Sequence, residues 1–422
     1  MPDAGEWKIV PQDIEILREL GRRKLAIAND PVNVERRRLW QAHGALNGAR
    51  PMVLTEPWVA FEMLPDAQVS CQEEWARTLE KHLRFEIFQF EKVKDDHVVE
   101  PYIDCNWFVT VSDYGVTSIQ HYAHQVNNAN IASRSWDPPL QDLDRDFDKL
   151  RPRTYSVDRE RTHAWKAHLQ HVFEGILRVR IRGGFWWSTG MTNVLIDLVG
   201  LENMMTLMYT NPEGIHRIMA FLRDDYLAYS AWLEREGLFS LNNGNDYIGS
   251  GSMGYCGNVL PGKEEDGAPV RRKDLWVLSE SQETIGVSPA MFEEFVFQYQ
   301  QPIVESFGSC YYGCCEPLHQ KWPVVKKFPN LGRLSISPWC DEEFMAQELG
   351  RKYVYSRKPN PAMISMSDFD ESVIRADLRH TLTVAKGCNI EIIMKDVHTL
   401  SGDPQRIMRW VELAREAVDA SA

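Results

Sequence analysis

The chain alternates short β-rich runs with longer amphipathic helical runs over most of its 422 residues. This alternation predicts parallel strands joined by helical crossovers, because parallel strands need a long connection to return to the same edge of a sheet. Eight such units predict an α/β fold of the (β/α)8 type, the TIM barrel. The eight strand runs are Pro51–Glu56, Val98–Asp104, Arg178–Phe185, Leu238–Asn243, Cys310–Glu316, Leu331–Ser337, Tyr353–Arg357 and Glu391–Lys395.

The region before the first strand run has the pattern of two helices. Apolar residues recur at helical spacing between Pro11 and Leu46, and Asn29-Asp30-Pro31 interrupts them. We therefore expect residues 1–48 to form an N-terminal helical extension. Later helices have marked starts, in which a capping residue precedes a proline at the first helical position: Asn211-Pro212, Ser288-Pro289 and Asp403-Pro404.

Two segments are too long for ordinary connections within a barrel. We predict one barrel over residues 49–422, with insertions at about 112–160 and 244–274, because no linker or low-complexity tract marks a domain boundary. A ninth β-like run, Leu275–Leu278, is assigned to the second insertion, in the loop after the fourth strand. Such insertions are expected on the rim of a barrel, where they shape or cover a pocket.

The composition restricts the compartment and the partners. A formal net charge of −13 argues against nucleic acid or an anionic membrane, because both bind basic surfaces. No run approaches the roughly 18 apolar residues of a membrane span, and the first segment is polar and acidic, so neither insertion nor secretion is predicted. Eight cysteines are too sparse for a disulfide scaffold in so long a chain. We expect a cytoplasmic protein with a small-molecule or protein partner.

Ionisable and aromatic side chains follow several of the predicted strands, where barrels hold their functional groups. Asp104, Asp246 and Glu56 are candidate general acids or bases if they are desolvated, and Lys395 is a candidate for proton transfer. The ordinary alternative is that such carboxylates cap helices or pair with arginine, and that such lysines lie at the solvated rim. The tryptophans form an aromatic wall for the substrate or pack strands against helices. The predicted substrate-binding residues are Glu56, Trp58, Trp186, Trp187, Asn242 and Lys358.

One group of side chains has the donor types of a zinc site. Glu283, Cys314, Glu316 and His398 come from three separate strand ends, and thiolate, imidazole and carboxylate together suit tetrahedral zinc with one open position. Alternation along the fifth strand favours Cys314 over Cys315, because it places Cys314 and Glu316 on one face. The alternative is that both cysteines are small core residues and that His398 caps a loop.

Four segments occur in a particular order: Gly183–Leu201, Thr210–Glu213 with the helix to Glu236, Glu280–Phe295 with its Ser-Pro helix start, and Arg357–Pro361. In order and spacing they resemble the uroporphyrinogen decarboxylase superfamily, and the likeness extends from about Arg36 to the C-terminus. The resemblance implies a TIM barrel and suggests a homodimer. The chain departs from the decarboxylase itself at Thr55–Ala60, an acidic and aromatic loop where that enzyme has arginines for a polycarboxylate substrate.

The same superfamily contains zinc-dependent methyltransferases that exchange methyl groups with corrinoid proteins, and the chain is similar to their O-demethylase-like relatives in anaerobic bacteria. Tyr312-Gly313-Cys314 stands where those enzymes carry a His-x-Cys pair, and His398 lies near the place of their later cysteine. The resemblance therefore implies zinc as a cofactor and a corrinoid on a partner protein. Only Cys314 carries over as a direct ligand match.

These observations predict a corrinoid-dependent methyltransferase of the O-demethylase type. It would move a methyl group from a small methoxylated or methylated compound to a corrinoid protein, with zinc assisting the departure of the leaving atom. One alternative is a metal-free decarboxylase or lyase of a small carboxylic acid, with Asp104 or Asp246 stabilising a cationic intermediate. A second alternative is a noncatalytic ligand-binding barrel.

Overall fold

The computed structural model describes residues 7–57, 60–64, 68–122, 134–183, 188–257, 259–261 and 269–421. Within these residues the chain is a mixed α/β fold around a six-stranded sheet in the order β1-β14-β13-β12-β11-β10, with every neighbouring pair parallel. The strands are β1 (Met52–Pro57), β2 (Tyr102–Asn106), β3 (Phe108–Val111), β4 (Ile119–Tyr122), β5 (Arg134–Asp137), β6 (Tyr155–Asp158), β7 (Arg178–Arg182), β8 (Tyr247–Gly249), β9 (Ser252–Met253), β10 (Trp276–Ser279), β11 (Ser309–Tyr312), β12 (Leu331–Ile336), β13 (Val354–Arg357) and β14 (Asn389–Val397).

Helices surround the sheet, and the predicted helix starts are confirmed. Asn211, Ser288 and Asp403 each accept a hydrogen bond from a main-chain N–H at the start of the following helical segment. The helices are α1 (Pro11–Ala28), α2 (Pro31–Gly44), α3 (Ala60–Met63), α4 (Glu74–Phe88), α5 (Leu143–Asp146), α6 (Arg159–Val172), α7 (Thr192–Val199), α8 (Leu201–Thr210), α9 (Pro212–Arg235), α10 (Pro289–Phe292), α11 (Gln298–Ser306), α12 (Trp322–Val325), α13 (Glu342–Leu349), α14 (Ala362–Ser365), α15 (Glu371–Val384) and α16 (Gln405–Ser421).

The N-terminal region contains the two helices that the sequence predicts. Helix α1 ends at Ala28, and Asp30 caps α2 by accepting from the Val32 N–H at 2.8 Å. The first predicted insertion contains the antiparallel ladder of β4 with β5, and its strand β6 pairs antiparallel with β3, which directly precedes the insertion. Among the described residues, no helix combines the length and apolar character that a membrane crossing requires.

The two faces of the six-stranded sheet bury different kinds of side chain. On one face, Cys310, Leu334 and Ile392 belong to the main hydrophobic core. Alternate positions on the same strands point the other way, and there the side chains of Arg333 and Glu391 are buried. This polar face continues to the carboxyl edge of the sheet, where parallel α/β proteins hold their functional groups.

The predicted assignment of the fourth strand is wrong. Leu238–Asn243 belongs to no ladder of the described residues, whereas the run given to the insertion forms β10, with Trp276 opposite Ser309. Both runs are short and apolar, so composition does not separate them, and only main-chain pairing decides. Strand β2 pairs with β7 alone, and the six-stranded sheet ends at β1 and β10, so main-chain hydrogen bonds do not close a barrel over the described residues.

The second predicted insertion contributes a hairpin that lies beside the sheet. Its hairpin, β8 and β9, packs against the polar face of the six-stranded sheet, and Ser252 donates to Glu391 Oε1 at 2.6 Å. Glycine permits this approach: a Cβ at Gly249 would lie 2.7 Å from the Leu278 side chain. The hairpin therefore covers part of the polar face of the sheet, a contact that the sequence analysis did not predict.

Candidate active site

Four predicted site residues lie near one another at the carboxyl edge of the six-stranded sheet. Glu56 of β1 and Lys395 of β14 are register partners on paired strands. Lys358 follows β13, and Cys314 follows β11 by two residues. The charges of Glu56, Lys395 and Cys314 all affect the pKa of Lys358, so the four groups share one electrostatic environment.

A bulge in β14 positions this edge. Glu56 pairs with Lys395, but the next residue of β1, Pro57, pairs with Val397, so Asp396 is left without a partner in the ladder. The φ of Asp396 is +57°, a left-handed conformation that is uncommon outside glycine. Bulges with such strained residues recur beside active sites, where they redirect side chains.

The neighbours of Cys314 favour the ionised form of its thiol. Its Sγ lies 3.5 Å from the Cys315 Sγ and 3.5 Å from the Lys395 Nζ. The hydrogen bond from Cys315 and the Lys395 ammonium lower the pKa of the Cys314 thiol to about 7 despite its burial. Cys315 keeps its proton, because the adjacent thiolate raises its pKa, and its Sγ lies 3.6 Å from Asp396 Oδ2.

Lys395 is held as an ammonium. Its side chain is buried, which by itself would lower its pKa, but the Cys314 thiolate and the Asp396 carboxylate raise that pKa above its ordinary value. The Nζ lies 3.2 Å from Asp396 Oδ2. A fixed positive charge therefore stands at the end of β14.

Glu56 is a candidate proton donor beside this charge. Burial raises the pKa of its carboxyl, and the nearby Lys395 offsets that rise only in part. Its Oε2 is buried without a hydrogen-bond partner in the described structure. The same atom lies 3.0 Å from the position that a Cβ on Gly251 would occupy, so the hairpin borders Glu56.

A buried polar chain leads from Lys358 along the sheet. Burial, and then repulsion by Lys395, lower the pKa of the Lys358 amine to about 7, although Glu391 opposes the shift. Its Nζ donates to Ser356 Oγ at 2.5 Å, and Ser356 Oγ donates to Glu391 Oε1 at 2.5 Å. Glu391 pairs with Arg333 at 2.6 Å, with both side chains fully buried. The sequence analysis did not predict this ion pair. Arg333 and Glu391 are charged residues within two of the predicted strand runs, and that position could have indicated a buried pair.

The predicted zinc ligands are occupied by other partners. Both carboxylate oxygens of Glu316 accept main-chain N–H groups, from Ser281 at 3.0 Å and from Cys314 at 2.8 Å. Glu283 accepts from the Thr192 hydroxyl at 2.7 Å. The Cys314 Sγ lies 3.5 Å from the Lys395 Nζ.

The donor set therefore does not fit zinc. Among the described residues, no group of three or more His, Cys, Asp or Glu side chains is arranged to hold a metal ion. His398 follows β14 and is exposed. The alternation argument for Cys314 also fails, because β11 ends at Tyr312 and both cysteines lie beyond it, with their sulfur atoms adjacent.

Glu280 is a further buried acid that the sequence analysis did not select as a ligand or catalyst. It follows β10 and accepts from the Ser188 hydroxyl at 2.9 Å and from the Gln282 N–H at 3.0 Å. Burial, and then the charges of Glu283 and Glu316, raise its pKa well above the ordinary value. In the sequence, Glu280 comes shortly after the β-like run Leu275–Leu278, which the sequence analysis assigned to an insertion and not to the sheet.

The other predicted acids lie in ion pairs. Asp104 accepts two hydrogen bonds from Arg180, at 2.8 and 2.9 Å, and Asp246 pairs with Arg182. Burial nevertheless raises the pKa of Asp246. Asn242 holds the main chain of Trp276, donating to its carbonyl at 3.0 Å and accepting from its N–H at 2.9 Å.

Asp104, Asn242 and Asp246 line a cavity of about 290 Å³ whose lining does not include Glu56, Cys314, Lys358 or Lys395. The structure thus divides the predicted site into this cavity and the carboxyl-edge group of Glu56, Cys314, Lys358 and Lys395. Trp58, Trp186 and Trp187 lie outside the described residues.

Comparisons with known proteins add little to this geometry. No protein-family model matches the chain, and no curated protein matches its sequence. Solved structures that resemble it include a methyltransferase from Methanosarcina mazei, with 10% sequence identity and a TM-score of 0.48 over 91% of this chain and 98% of that chain. The function of the protein is therefore inferred from the residues of the site.

Proposed function

We propose that this protein is a methyltransferase that removes a methyl group from a small methoxylated or methylated compound, with its active centre at Glu56, Lys395 and Cys314. One observation carries the proposal: a carboxyl group with a raised pKa stands opposite a fixed ammonium on paired strands. Removal of a methyl group leaves the bonding electron pair on the oxygen or heteroatom. That charge needs a cation and a proton, and these two residues can supply them.

Each residue has a distinct part in this scheme. The Lys395 ammonium stabilises the negative charge that develops on the leaving atom. The Glu56 carboxyl then donates its proton to that atom, so the demethylated product leaves as a neutral alcohol, phenol or amine. Cys314 is a positioning residue: its thiolate lies 3.5 Å from Lys395 and helps to keep the lysine protonated.

We propose a corrinoid carried by a partner protein as the methyl acceptor. The corrinoid would supply a strongly nucleophilic cobalt for the methyl group. No step of the proposal passes through zinc, because the predicted ligands do not fit that metal. The resemblance of the sequence to corrinoid-linked methyltransferases supports this choice of acceptor.

The metal-free lyase has less support. It relied on Asp104 or Asp246 to stabilise a cationic intermediate, and each of these carboxylates is paired with an arginine.

The test is methyl transfer to reduced free cobalamin, followed by its visible spectrum, from a panel of methoxylated benzoates, methoxyphenols and methylamines. We expect Lys395→Met to lower kcat/KM by about 10²–10³-fold and Glu56→Gln by about 10²–10⁴-fold, the usual effects of losing a charge stabiliser or a general acid. Matched controls are Lys326→Met and Glu19→Gln, which change exposed ion-paired residues.

The outcomes separate the candidates. Methyl transfer that is lost in the two site variants and kept in the two controls supports the proposal. Transfer that persists in both site variants overturns the roles of these residues. No transfer from any compound, together with release of CO2 from a carboxylic acid, overturns methyl transfer and favours the lyase.

A further inference from the structure

Strand β7 carries three arginines on one face. Arg178, Arg180 and Arg182 alternate with Val179 and Ile181, which pack on the other face in an apolar cluster. The arginines line a cavity of about 820 Å³ whose lining also includes Leu241 and residues 243–246. This volume is in the range of ligand pockets in proteins.

The cavity is positive although the chain is negative. Five cationic side chains and two carboxylates line it, in a protein with a formal net charge of −13. Like charges on one face of a strand repel one another. An anion in the cavity would relieve that repulsion.

Some of these cations already have partners. Arg180 binds Asp104 and lies 3.3 Å from the centre of the Tyr102 ring, and Arg182 pairs with Asp246. Arg37 pairs with Glu100 at 3.2 Å. These pairs build the wall of the cavity.

Two cations remain available for a ligand. The side chains of Arg178, which is exposed, and Lys166, which is half-buried, form no hydrogen bond or ion pair with the residues that the structure describes. The side-chain amides of Gln41 and Gln170, on α2 and α6, also line the cavity without a described partner. Guanidinium and ammonium groups bind carboxylate and phosphate through charge-assisted hydrogen bonds, and the amides can bind further oxygens.

We propose that this cavity binds a small molecule with at least two anionic groups, carboxylate or phosphate, through Arg178 and Lys166. Glu56, Cys314 and Lys395 do not line this cavity, and the proposal does not depend on methyl transfer. One anionic group for each unpaired cation accounts for the two charges, and the volume accommodates a ligand of metabolite size.

Calorimetric titration of the full-length protein with citrate and, separately, with pyrophosphate tests the proposal. We expect saturable binding of about one molecule per chain that weakens as salt is added. The double variant Arg178→Gln/Lys166→Gln should raise the Kd at least about tenfold, since loss of a charged hydrogen bond costs about 1.5–3 kcal/mol. The control Arg22→Gln, at an exposed helix position, should bind as the wild type does.

The two probes distinguish the anionic groups. Binding of citrate alone assigns carboxylate ligands, and binding of pyrophosphate alone assigns phosphate ligands; either result supports the site if the double variant loses it. Failure of both probes to bind overturns the proposal. Binding that the double variant retains, while circular dichroism shows it folded, also overturns it.

Discussion

At the scale of single residues, burial and neighbouring charges shift the pKa values of the site's side chains away from their ordinary values. Glu56 and Lys358 are shifted mainly by burial, each toward its neutral form. The neighbours of Cys314 and Lys395 act against burial and favour the charged form of both groups. Groups whose pKa values are shifted in opposite ways are a common feature of catalytic sites.

The thiolate of Cys314 gives a pH-dependent prediction. Its alkylation by iodoacetamide, followed by tandem mass spectrometry, should rise through a midpoint near pH 7, because the thiol is protonated below its pKa and reactive above it. Lys395→Met should move the midpoint to higher pH by removing a stabilising cation, whereas Lys326→Met should leave it in place. An unchanged midpoint in Lys395→Met would contradict the ion pair.

The buried pair of Arg333 and Glu391 gives a stability prediction. Glu391→Ala leaves the Arg333 guanidinium buried without its counter-ion, and we expect it to lower the free energy of unfolding by about 3–5 kcal/mol. The measurement is urea unfolding. Glu371→Ala removes an exposed partner of Arg409 and should cost no more than about 1 kcal/mol. Equal decreases in the free energy of unfolding for the two variants would contradict the expectation that burial makes the Arg333–Glu391 pair more important for stability.

At the scale of elements, the β8–β9 hairpin and the β14 bulge define the site. The hairpin covers the polar face of the sheet and borders Glu56 through Gly251. The bulge at Asp396 interrupts the ladder directly after Lys395. Neither element is visible as a regular hydrophobic period in the sequence.

The hairpin prediction concerns Gly251. Its φ is +79°, and an added Cβ would lie 2.7 Å from Ile393 Cγ2. Gly402→Ala is the matched control, because its φ is +75° but nothing lies within 4 Å of the added Cβ. We expect about 1–2 kcal/mol of destabilisation for the control and about 1–3 kcal/mol more for Gly251→Ala in urea unfolding. Equal costs would mean that the hairpin does not pack tightly against β14.

At the scale of the whole molecule, one sheet organises the chemistry. The six parallel strands bring residues as far apart in the chain as Glu56 and Lys395 to the same edge. At that edge the Lys395 ammonium lies next to Cys314, whereas the sequence analysis predicted zinc there.

Metal analysis tests this difference. Because Lys395 already balances the charge of Cys314, we expect protein purified without chelator or nickel affinity to contain far less than one zinc per chain. A stoichiometric zinc that disappears in Cys314→Ala would contradict this expectation and restore the zinc site that the sequence predicts. Unfolding measurements on the variant separate loss of metal from loss of the fold.

The sequence by itself determined the α/β class, the two N-terminal helices and the capped helix starts. These features depend on local spacing, as at Asp30 and Asn211, where a side chain caps the helix that follows it. The sequence also placed Glu56, Lys358 and Lys395 after or at the end of strands.

Only the tertiary structure decided which run joins the sheet and which groups share a site. Leu238–Asn243 and Trp276–Ser279 are alike in composition, and main-chain pairing selected the second. The separation of Asp104 and Asp246 from Cys314, and the meeting of Lys395 with Cys314, depend on contacts between residues far apart in the chain. The spacing of apolar residues along the sequence indicates which face of one helix or strand is buried. The composition of a site depends instead on the distances between side chains that belong to different helices and strands.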